Sequence, residues 1–231
     1  MTSGSPTGTP DSEETPRDWL RRLPMFPADL PTLEVPALAA DPQTLFVAWI
    51  REVVAAGQLA ARVMTLATSD AERDNAPGAR GVLLTDLDER GWQFATHASS
   101  PKGRALAAHP FAASTFFWPV LGRQVRLFGT VHQLPADAAA RDFRGRSETA
   151  RASILVGHQS EPLERPEDYS AAFERARTAL QSDPTLIDED WAVYALAPER
   201  VEFWQGSTTG PQTRVLYRRV GESWATSRLY P

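Results

Sequence analysis

The feature of this sequence that most restricts its fold is a succession of short runs rich in β-branched and aromatic residues. Such residues favour strands, and turn-forming residues separate each run from the next. The runs occupy residues 63–68, 81–86, 92–97, 112–118 and 125–131. Runs this closely spaced pair most simply as antiparallel neighbours. The sequence therefore predicts an antiparallel meander of at least five strands, long enough to curl into a barrel.

Helices are expected to flank this sheet. Asp41 followed by Pro42 is a typical helix start, and apolar residues at helical spacing continue from there towards Gly57. Ser100 and Pro101 repeat this start signal before a short helix. Further helices are predicted over 102–108, 135–143 and 166–181, and further strands over 191–195, 201–204, 215–219 and 224–230. The predicted fold class is α+β, dominated by a small antiparallel barrel.

The N-terminal segment differs in composition from the rest of the chain. Residues 1–17 consist mainly of Ser, Thr, Gly, Pro and acidic residues, so we expect a disordered tail there. Residues 18–40 mix apolar side chains with prolines, which favours an extended strap over a helix. These prolines are Pro24, Pro27, Pro31 and Pro36. Residues 41–231 are expected to form the folded domain.

Charge and composition exclude several classes of protein. The 24 basic and 29 acidic side chains give a net charge of −5, without a dense Lys/Arg block, so we expect no nucleic-acid partner. The absence of cysteine excludes disulfides and thiolate chemistry. No apolar run reaches the roughly 18–20 residues of a membrane span, and no secretory signal pattern is visible. We therefore expect a cytoplasmic protein that does not bind membranes.

Common catalytic and metal-binding motifs are missing. The histidines lack the spacing of metal ligands, so no metal site is expected. They are His97, His109, His132 and His158. Nucleophile-elbow and glycine-rich phosphate-loop patterns are also absent. The acidic run 187–190 is most simply a solvated loop. The sequence assigns no catalytic residue.

Three polar patches coincide with the predicted ends of strands, at residues 80–84, 96–103 and 123–126. Taken singly, each patch is most simply a capped helix or an exposed strand edge. Taken together, they suggest a phosphate cradle, because hydroxyls and Lys102 precede a helix N-terminus, where free N–H groups attract anions. Gln124 would offer its amide to a heterocycle.

The order of these patches resembles a known family. RGVLL, FATHASSPKG, AAHPFAASTFFWP, GRQVR, GHQS, VEFWQG and the C-terminal RLYP are similar to segments of the pyridoxamine/pyridoxine 5′-phosphate oxidase family of FMN flavoproteins. The similarity covers roughly residues 41–231. It implies an FMN-binding split β-barrel, which is a Greek-key-like antiparallel barrel with flanking helices. It also implies a homodimer with FMN at the subunit interface.

The same resemblance implies which residues bind FMN. They are Arg80, Val82, Leu83, Thr96, Ser100, Lys102, Gln124, Gln159, Ser160, Trp204 and Arg214. Two positions depart from the family pattern, since Pro101 replaces an Arg and Ala95 replaces a Tyr. Loss of one phosphate cation should weaken cofactor binding by ~1.5–3 kcal/mol without abolishing it.

The substrate positions implied by the resemblance depart further. The family's Lys, Tyr and Ser are replaced by Thr85, Asp142 and Ala150, whereas Arg146 is retained. After FWQG, the family's Arg-Leu-His is replaced by Gly210-Pro211-Gln212. A phosphate ester would lose cations at these positions and meet the carboxylate of Asp142. We therefore expect weak turnover of pyridoxine 5′-phosphate, with Arg146 as the anchor for the anionic group of a different substrate.

Two functions follow from this resemblance. The first is an FMN-dependent oxidase that passes hydride from a small-molecule substrate to FMN and on to O2, giving H2O2. The family motifs favour pyridoxine or pyridoxamine 5′-phosphate as its substrate, whereas the changed pocket residues favour a reduced heterocycle, as in the related phenazine-biosynthesis oxidases. The alternative is an FMN-binding protein without oxidase turnover, which the changed substrate positions also allow.

Overall fold

The computed structural model describes residues 15–34 and 38–231, and the strands in this part of the chain form a single antiparallel sheet. The strands are β1 (Val63–Asp70), β2 (Ala76–Leu83), β3 (Asp86–Asp88), β4 (Gly91–His97), β5 (Phe111–Trp118), β6 (Arg123–Gln133), β7 (Trp191–Gln205), β8 (Thr213–Val220) and β9 (Ser223–Arg228). The helices are α1 (Pro16–Arg22), α2 (Pro42–Ala55), α3 (Pro101–Ala108), α4 (Ala136–Arg144), α5 (Glu148–Leu155) and α6 (Pro166–Ser182). The predicted α+β class is confirmed.

The sheet forks at β7. Along the main path the strand order is β2-β1-β5-β6-β7-β4-β3, and β8 and β9 extend the sheet from β7 in a second direction. One edge of β7 pairs with β6, while the other edge pairs first with β4 over 191–196 and then with β8 over 200–205. The end strands of this path, β2 and β3, are consecutive in the chain, and between them the N–H of Thr85 donates to Gln93 O on β4 at 2.8 Å.

The long strand β7 corrects the prediction of two separate strands over 191–195 and 201–204. Pro198 lacks an N–H and would normally interrupt such a strand. The ladder between β6 and β7 accommodates it by shifting register between Phe128 and Gly129, so that Glu199 is left as the extra residue of a bulge. The strand bends there and continues.

Helix α2 supplies much of the aromatic core. As predicted, Asp41 caps it, and its carboxylate accepts the N–H of Thr44 at 2.9 Å. Phe46 is buried against Trp92 and Phe116, with ring centroids 5.5 and 4.9 Å away. Because these partners lie on β4 and β5, one helix face joins strands that are not hydrogen-bonded to each other.

Two segments differ from the predicted secondary structure. Helix α1 begins at Pro16, inside the segment predicted as tail and strap, because Thr15 caps it and proline suits the first turn. Residues 23–34 then continue without a helix or strand, whereas residues 1–14 and 35–37 of the predicted tail and strap lie outside the described residues. Helix α5, capped by Ser147, was not predicted. Across the described residues, no helix has both the length and the apolarity needed to cross a bilayer.

We expect Gly129→Ala to destabilise the fold by about 3 kcal/mol, because overpacking without relaxation has costs of this size. A Cβ at Gly129 would lie 2.2 Å from Ala197 O, on the backbone of β7. Gly81→Ala is the matched control, since its Cβ would approach no atom closer than Val63 Cγ1 at 3.8 Å. Urea unfolding measures both. Equal stability of the two variants would contradict the close approach of β6 and β7.

Candidate functional site

A cluster of cationic and hydroxyl side chains lies between β2 and β4, at the start of α3. Arg80, on β2, donates through Nη1 to Leu66 O at 3.1 Å and to Thr68 Oγ1 at 2.8 Å. Lys102, in the first turn of α3, is 8% exposed and donates to Ser100 Oγ at 3.2 Å. Lys102 is the only lysine in the sequence. The structure thus brings three residues of the predicted phosphate site together.

Gln159 joins this cluster from the loop that follows α5. Its Oε1 accepts hydrogen bonds from Lys102 Nζ at 2.8 Å and from Thr96 Oγ1 at 2.9 Å. Thr96 is on β4, and its hydroxyl also lies 3.3 Å from Ser100 Oγ. One neutral oxygen therefore sits among several donors, at a place where an anion would accept the same hydrogen bonds more strongly.

The electrostatics of Lys102 fit an anion site. Burial, together with the nearby positive charge of Arg80, lowers the pKa of Lys102 to about 8. Burial likewise lowers the pKa of Arg80, partly offset by Asp70. Among the described residues, Lys102 forms no salt bridge with a carboxylate. A bound phosphate would relieve the repulsion between the two cations, so the donor set has the chemistry that a phosphate group needs.

The start of α3 is fixed by close backbone packing. Ser100 caps the helix, and its Oγ accepts the N–H of Gly103 at 3.2 Å. A Cβ at Gly103 would lie 2.2 Å from Ala98 O, so glycine is required for the turn to approach the helix this closely. This packing keeps Ser100 and Lys102 on the side that faces Thr96 and Gln159.

Other predicted cofactor residues form a separate group at the far end of β7. Gln124 on β6 and Arg214 on β8 are the register partners of Trp204. The indole N–H of Trp204 donates to Gln212 Oε1, and Arg214 Nε donates to Glu202 Oε1 at 2.8 Å. Phe26, which precedes β1 by a long stretch of chain, packs with its ring centroid 5.9 Å from that of Trp204.

The two groups lie far apart in one chain. Thr96 pairs with Ala192 near the beginning of β7, whereas Trp204 is close to its end. Twelve residues of extended strand correspond to about 40 Å along the chain, although the bulge bends this path. A single subunit therefore does not unite all the predicted cofactor residues around one ligand.

The remaining predicted cofactor residues lie near the first group. The side chain of Val82 is buried in the core, so only its backbone can face a ligand, whereas Leu83 beside it is exposed. Ser160 has a positive φ of 74° and lines a cavity of about 640 Å³ between α5 and α6. Gln159, His97 and Trp191 line the same cavity.

The structure revises the interpretation of Arg146. Its Nε donates to Asp142 Oδ2 at 2.8 Å, and its Nη2 donates to Asp142 Oδ1 at 3.3 Å. Trp191 donates its indole N–H to the same carboxylate at 2.8 Å, and the guanidinium of Arg146 lies 4.8 Å from the centre of the Trp191 ring. Arg146 was expected to be an available anchor, but this half-buried group already has a carboxylate partner.

The other predicted substrate positions carry no charge. The hydroxyl of Thr85 donates to Gln93 O at 3.2 Å, and Ala150 offers only its N–H, which donates to the cap Ser147. Gln212 accepts from Trp204, and the N–H of Gly210 donates to a serine hydroxyl within its own turn. These positions therefore supply no positive charge to a phosphate ester.

Side chains along β6 point alternately to the two faces of the sheet, which separates core residues from candidate site residues. Arg123 points inward, where its Nη1 lies 2.7 Å from Glu52 Oε2 and its guanidinium covers the ring of Trp49. Gln124 points to the opposite face. Arg123, which belonged to the third polar patch, is therefore a core residue that links β6 to α2.

The interpretation of residues 187–190 as a solvated loop was wrong. Asp188 Oδ2 lies 3.6 Å from His97 Nε2, and Asp190 accepts hydrogen bonds from both the N–H and the hydroxyl of Ser99. Glu189 alone in the acidic run is exposed. Contacts across ninety residues of sequence leave no local signal, so sequence reasoning missed these partners and also missed Trp191.

The sequence is similar to known proteins of one family. A family model described as "Pyridoxamine 5'-phosphate oxidase" matches residues 50–205, and one described as "Pyridoxine 5'-phosphate oxidase C-terminal dimerisation region" matches residues 191–231. The pyridoxine/pyridoxamine 5′-phosphate oxidase of Pseudomonas syringae pv. tomato is 38% identical over 193 residues, which cover 83% of this chain and 89% of that protein. The enzyme of the same name from Pseudomonas fluorescens is 41% identical over 197 residues, with the same coverage.

Solved structures show the same architecture. The crystal structure of PhzG from Burkholderia lata, in complex with tetrahydrophenazine-1-carboxylic acid, matches with a TM-score of 0.81 at 26% identity, covering 87% of this chain and 99% of that one. A pyridoxamine 5′-phosphate oxidase-related, FMN-binding protein from Nostoc punctiforme matches in fold, with a TM-score of 0.68 at 21% identity and coverage of 84% and 99%. The forked antiparallel sheet is a split barrel, and the chain belongs to the pyridoxamine 5′-phosphate oxidase family.

Proposed function

We propose that this protein is an FMN-dependent oxidase that acts on a reduced heterocycle without a phosphate ester. The observation that carries the proposal is the cluster in which Lys102, buried beside Arg80, lacks a carboxylate partner among the described residues. Within a family of oxidases, such a donor set supports binding of the FMN phosphate. Bound FMN would accept hydride from the substrate and allow O2 to be reduced to H2O2.

The protein's own residues have distinct parts in this proposal. Arg80, Lys102, Ser100 and Thr96 would hold the phosphate through charge-assisted and hydroxyl hydrogen bonds. Gln159 would turn away from Lys102 and release these donors to the ligand. Around the ring system, the amide of Gln124 would provide polar contacts and the Trp204 ring would exclude water.

A second copy of the chain would complete the site. The group around Trp204 lies about 40 Å along β7 from the phosphate group, so two subunits could each supply one group. The match of residues 191–231 to a dimerisation region supports this arrangement. So does the exposed apolar surface on β5 and β6, which carries Phe111, Phe117 and Phe128.

The salt bridge between Asp142 and Arg146 supports an altered substrate. A phosphate ester would have to displace Asp142 from a bidentate, half-buried pair before Arg146 could bind it. Neutral groups at Thr85 and Gln212 would not compensate for this cost. The reduced heterocycle bound in the PhzG structure supports the same substrate class.

The alternative is an FMN-binding protein without oxidase turnover. In favour of it, the predicted substrate positions of this chain offer neither a free cation nor an obvious proton donor. An oxygen electrode distinguishes the two functions, because only the oxidase consumes O2 and forms H2O2 when reduced heterocycles are added.

We expect Lys102→Gln to weaken FMN binding by about tenfold to a hundredfold, because a charge-assisted hydrogen bond to phosphate is lost. Fluorescence quenching of FMN on titration with apoprotein measures this.

In the wild type, the affinity for FMN should fall as the pH rises through about 8, since Lys102 then loses its proton. Arg141→Gln, on the exposed surface of α4, is the control. Wild-type protein that takes up no FMN would refute the proposed function.

We expect Asp142→Asn to raise kcat/KM for pyridoxine 5′-phosphate by about tenfold, because Arg146 is then free to bind the phosphate. Asp137→Asn is the matched control, since it removes an exposed partner from Arg141 on the same helix at the same spacing. Steady-state H2O2 formation measures all three proteins. Wild-type turnover of this ester at about 10⁴ M⁻¹s⁻¹ or more would show that the pair does not exclude it.

We expect Phe128→Glu to shift a dimer towards monomer, because a carboxylate would be buried in the proposed apolar interface. Phe128 is 37% exposed on β6 and lies beneath the guanidinium of Arg200. Leu59→Glu places the same charge at a residue that is 84% exposed, before β1, and should leave the dimer intact. Sedimentation velocity measures the association. Identical behaviour of both variants would place the interface elsewhere.

A further inference from the structure

Residues 187–190 form an acidic loop before β7, and this loop is hydrogen-bonded to the turn that leads into α3. We propose that Asp190 and Asp188, acting through Ser99 and His97, are positioning residues for the phosphate-binding groups at the start of α3. This inference rests on the proposed FMN site. It assigns a role to a loop that contains none of the predicted site residues.

Asp190 is hydrogen-bonded to the turn through both its side chain and its backbone. Its Oδ1 accepts the N–H of Ser99 at 3.0 Å, and its Oδ2 accepts the Ser99 hydroxyl. Its backbone carbonyl accepts the N–H of Ala98 at 2.8 Å. One residue therefore holds two consecutive residues of the turn immediately before the helix cap Ser100.

Asp188 acts through His97. The carbonyl of Ile154, on α5, can only accept, so the His97 Nε2 that lies 2.9 Å from it carries a hydrogen. Asp188 Oδ2 lies 3.6 Å from the same nitrogen, and its other oxygen accepts the N–H of Asp190 at 2.8 Å. The backbone carbonyl of His97 in turn accepts the Ser100 hydroxyl at 2.7 Å. A continuous chain of contacts thus connects the acidic loop to the cap.

The charges in this chain of contacts favour its persistence. The nearby carboxylate of Asp188 raises the pKa of His97, although burial opposes this. Burial would raise the pKa of Asp188, but the nearby imidazole of His97 and hydrogen bonds from backbone N–H groups hold it below its ordinary value. Asp190 is the other acidic group near His97. The rings of His97 and Trp191 pack edge to face, with their centroids 5.2 Å apart. His97 and Asp188 thus each favour the charged form of the other.

The position of this turn determines where the phosphate donors lie. Ser100 Oγ is within hydrogen-bond distance of both Lys102 Nζ and Thr96 Oγ1. The turn cannot move away from the helix independently, because Gly103 packs directly against Ala98 O and His97 O. Without its contacts to the acidic loop, the turn would shift, and Ser100 and Lys102 would move away from Thr96 and Arg80. The proposed flavin-ring contacts at the far end of β7 would remain in place.

The test compares FMN with riboflavin, which has the same ring system but no phosphate. We expect Asp190→Ala to raise the Kd for FMN by about tenfold, the effect of losing roughly 1.4 kcal/mol, and to leave the Kd for riboflavin within about twofold. Asp190→Asn should restore FMN binding to within about threefold of the wild type, because an amide can accept from the Ser99 N–H and donate to its hydroxyl. Fluorescence titration of apoprotein with each flavin gives both constants.

Glu189→Ala is the matched control, because it removes an acidic side chain from the same loop, one with no hydrogen bond or ion pair to the described residues. It should bind FMN like the wild type. Asp188→Ala should resemble Asp190→Ala. Should Asp190→Ala fail to fold, Ser99→Ala replaces it, since this exposed serine loses only its hydrogen bond to Asp190 and should weaken FMN binding about threefold.

The outcomes separate the two levels of inference. Wild-type protein that binds FMN no better than riboflavin would overturn the phosphate site, and the positioning role with it. Wild-type preference for FMN that survives unchanged in Asp190→Ala would overturn the positioning role alone. Equal weakening of FMN and riboflavin in Asp190→Ala would show a general structural defect, and would also overturn it.

Discussion

The architecture depends on the continuous pairing of β7. This strand shares its first half with β4 and its second half with β8, while β6 supports it along the opposite edge. A bulge at Gly129 and Pro198 absorbs the bend that this double pairing requires. Because β7 begins beside the phosphate group and ends beside Trp204, the same strand sets the distance between the two candidate halves of the site. In the proposed site, a second subunit would bring the two halves together.

Charge pairing distinguishes two cations near the site: Lys102 has no carboxylate partner among the described residues, whereas Arg146 is paired with Asp142. Lys102 faces neutral acceptors, so burial and Arg80 leave it with a lowered pKa and a favourable response to an anion. Arg146 is instead saturated by Asp142 and stacked on Trp191. This contrast supports the proposal that the protein binds a phosphate-bearing cofactor and disfavours a phosphate-bearing substrate.

Sequence patterns predicted most of the elements whose signals are local. The caps at Asp41 and Ser100, and the runs rich in β-branched and aromatic residues at β4 and β5, mark elements that form where they were expected. Predictions failed where distant contacts override local preference. Two separate strands were predicted where β7 is continuous, and the acidic run suggested a solvated loop, yet partners on β6 and in the turn before α3 decided both.

By itself, the sequence determined the fold class, the family and the residue types available to a cofactor, because strand periodicity, helix caps and motif order are all written in local stretches of chain. Tertiary structure alone decided which of those residues meet. It paired Arg146 with Asp142, turned Arg123 into the core, and brought Gln159 to Lys102 across 57 residues of sequence. The physical reason is that hydrogen bonds and ion pairs depend on distances of a few ångströms, which are fixed only when the sheet closes and its register is set.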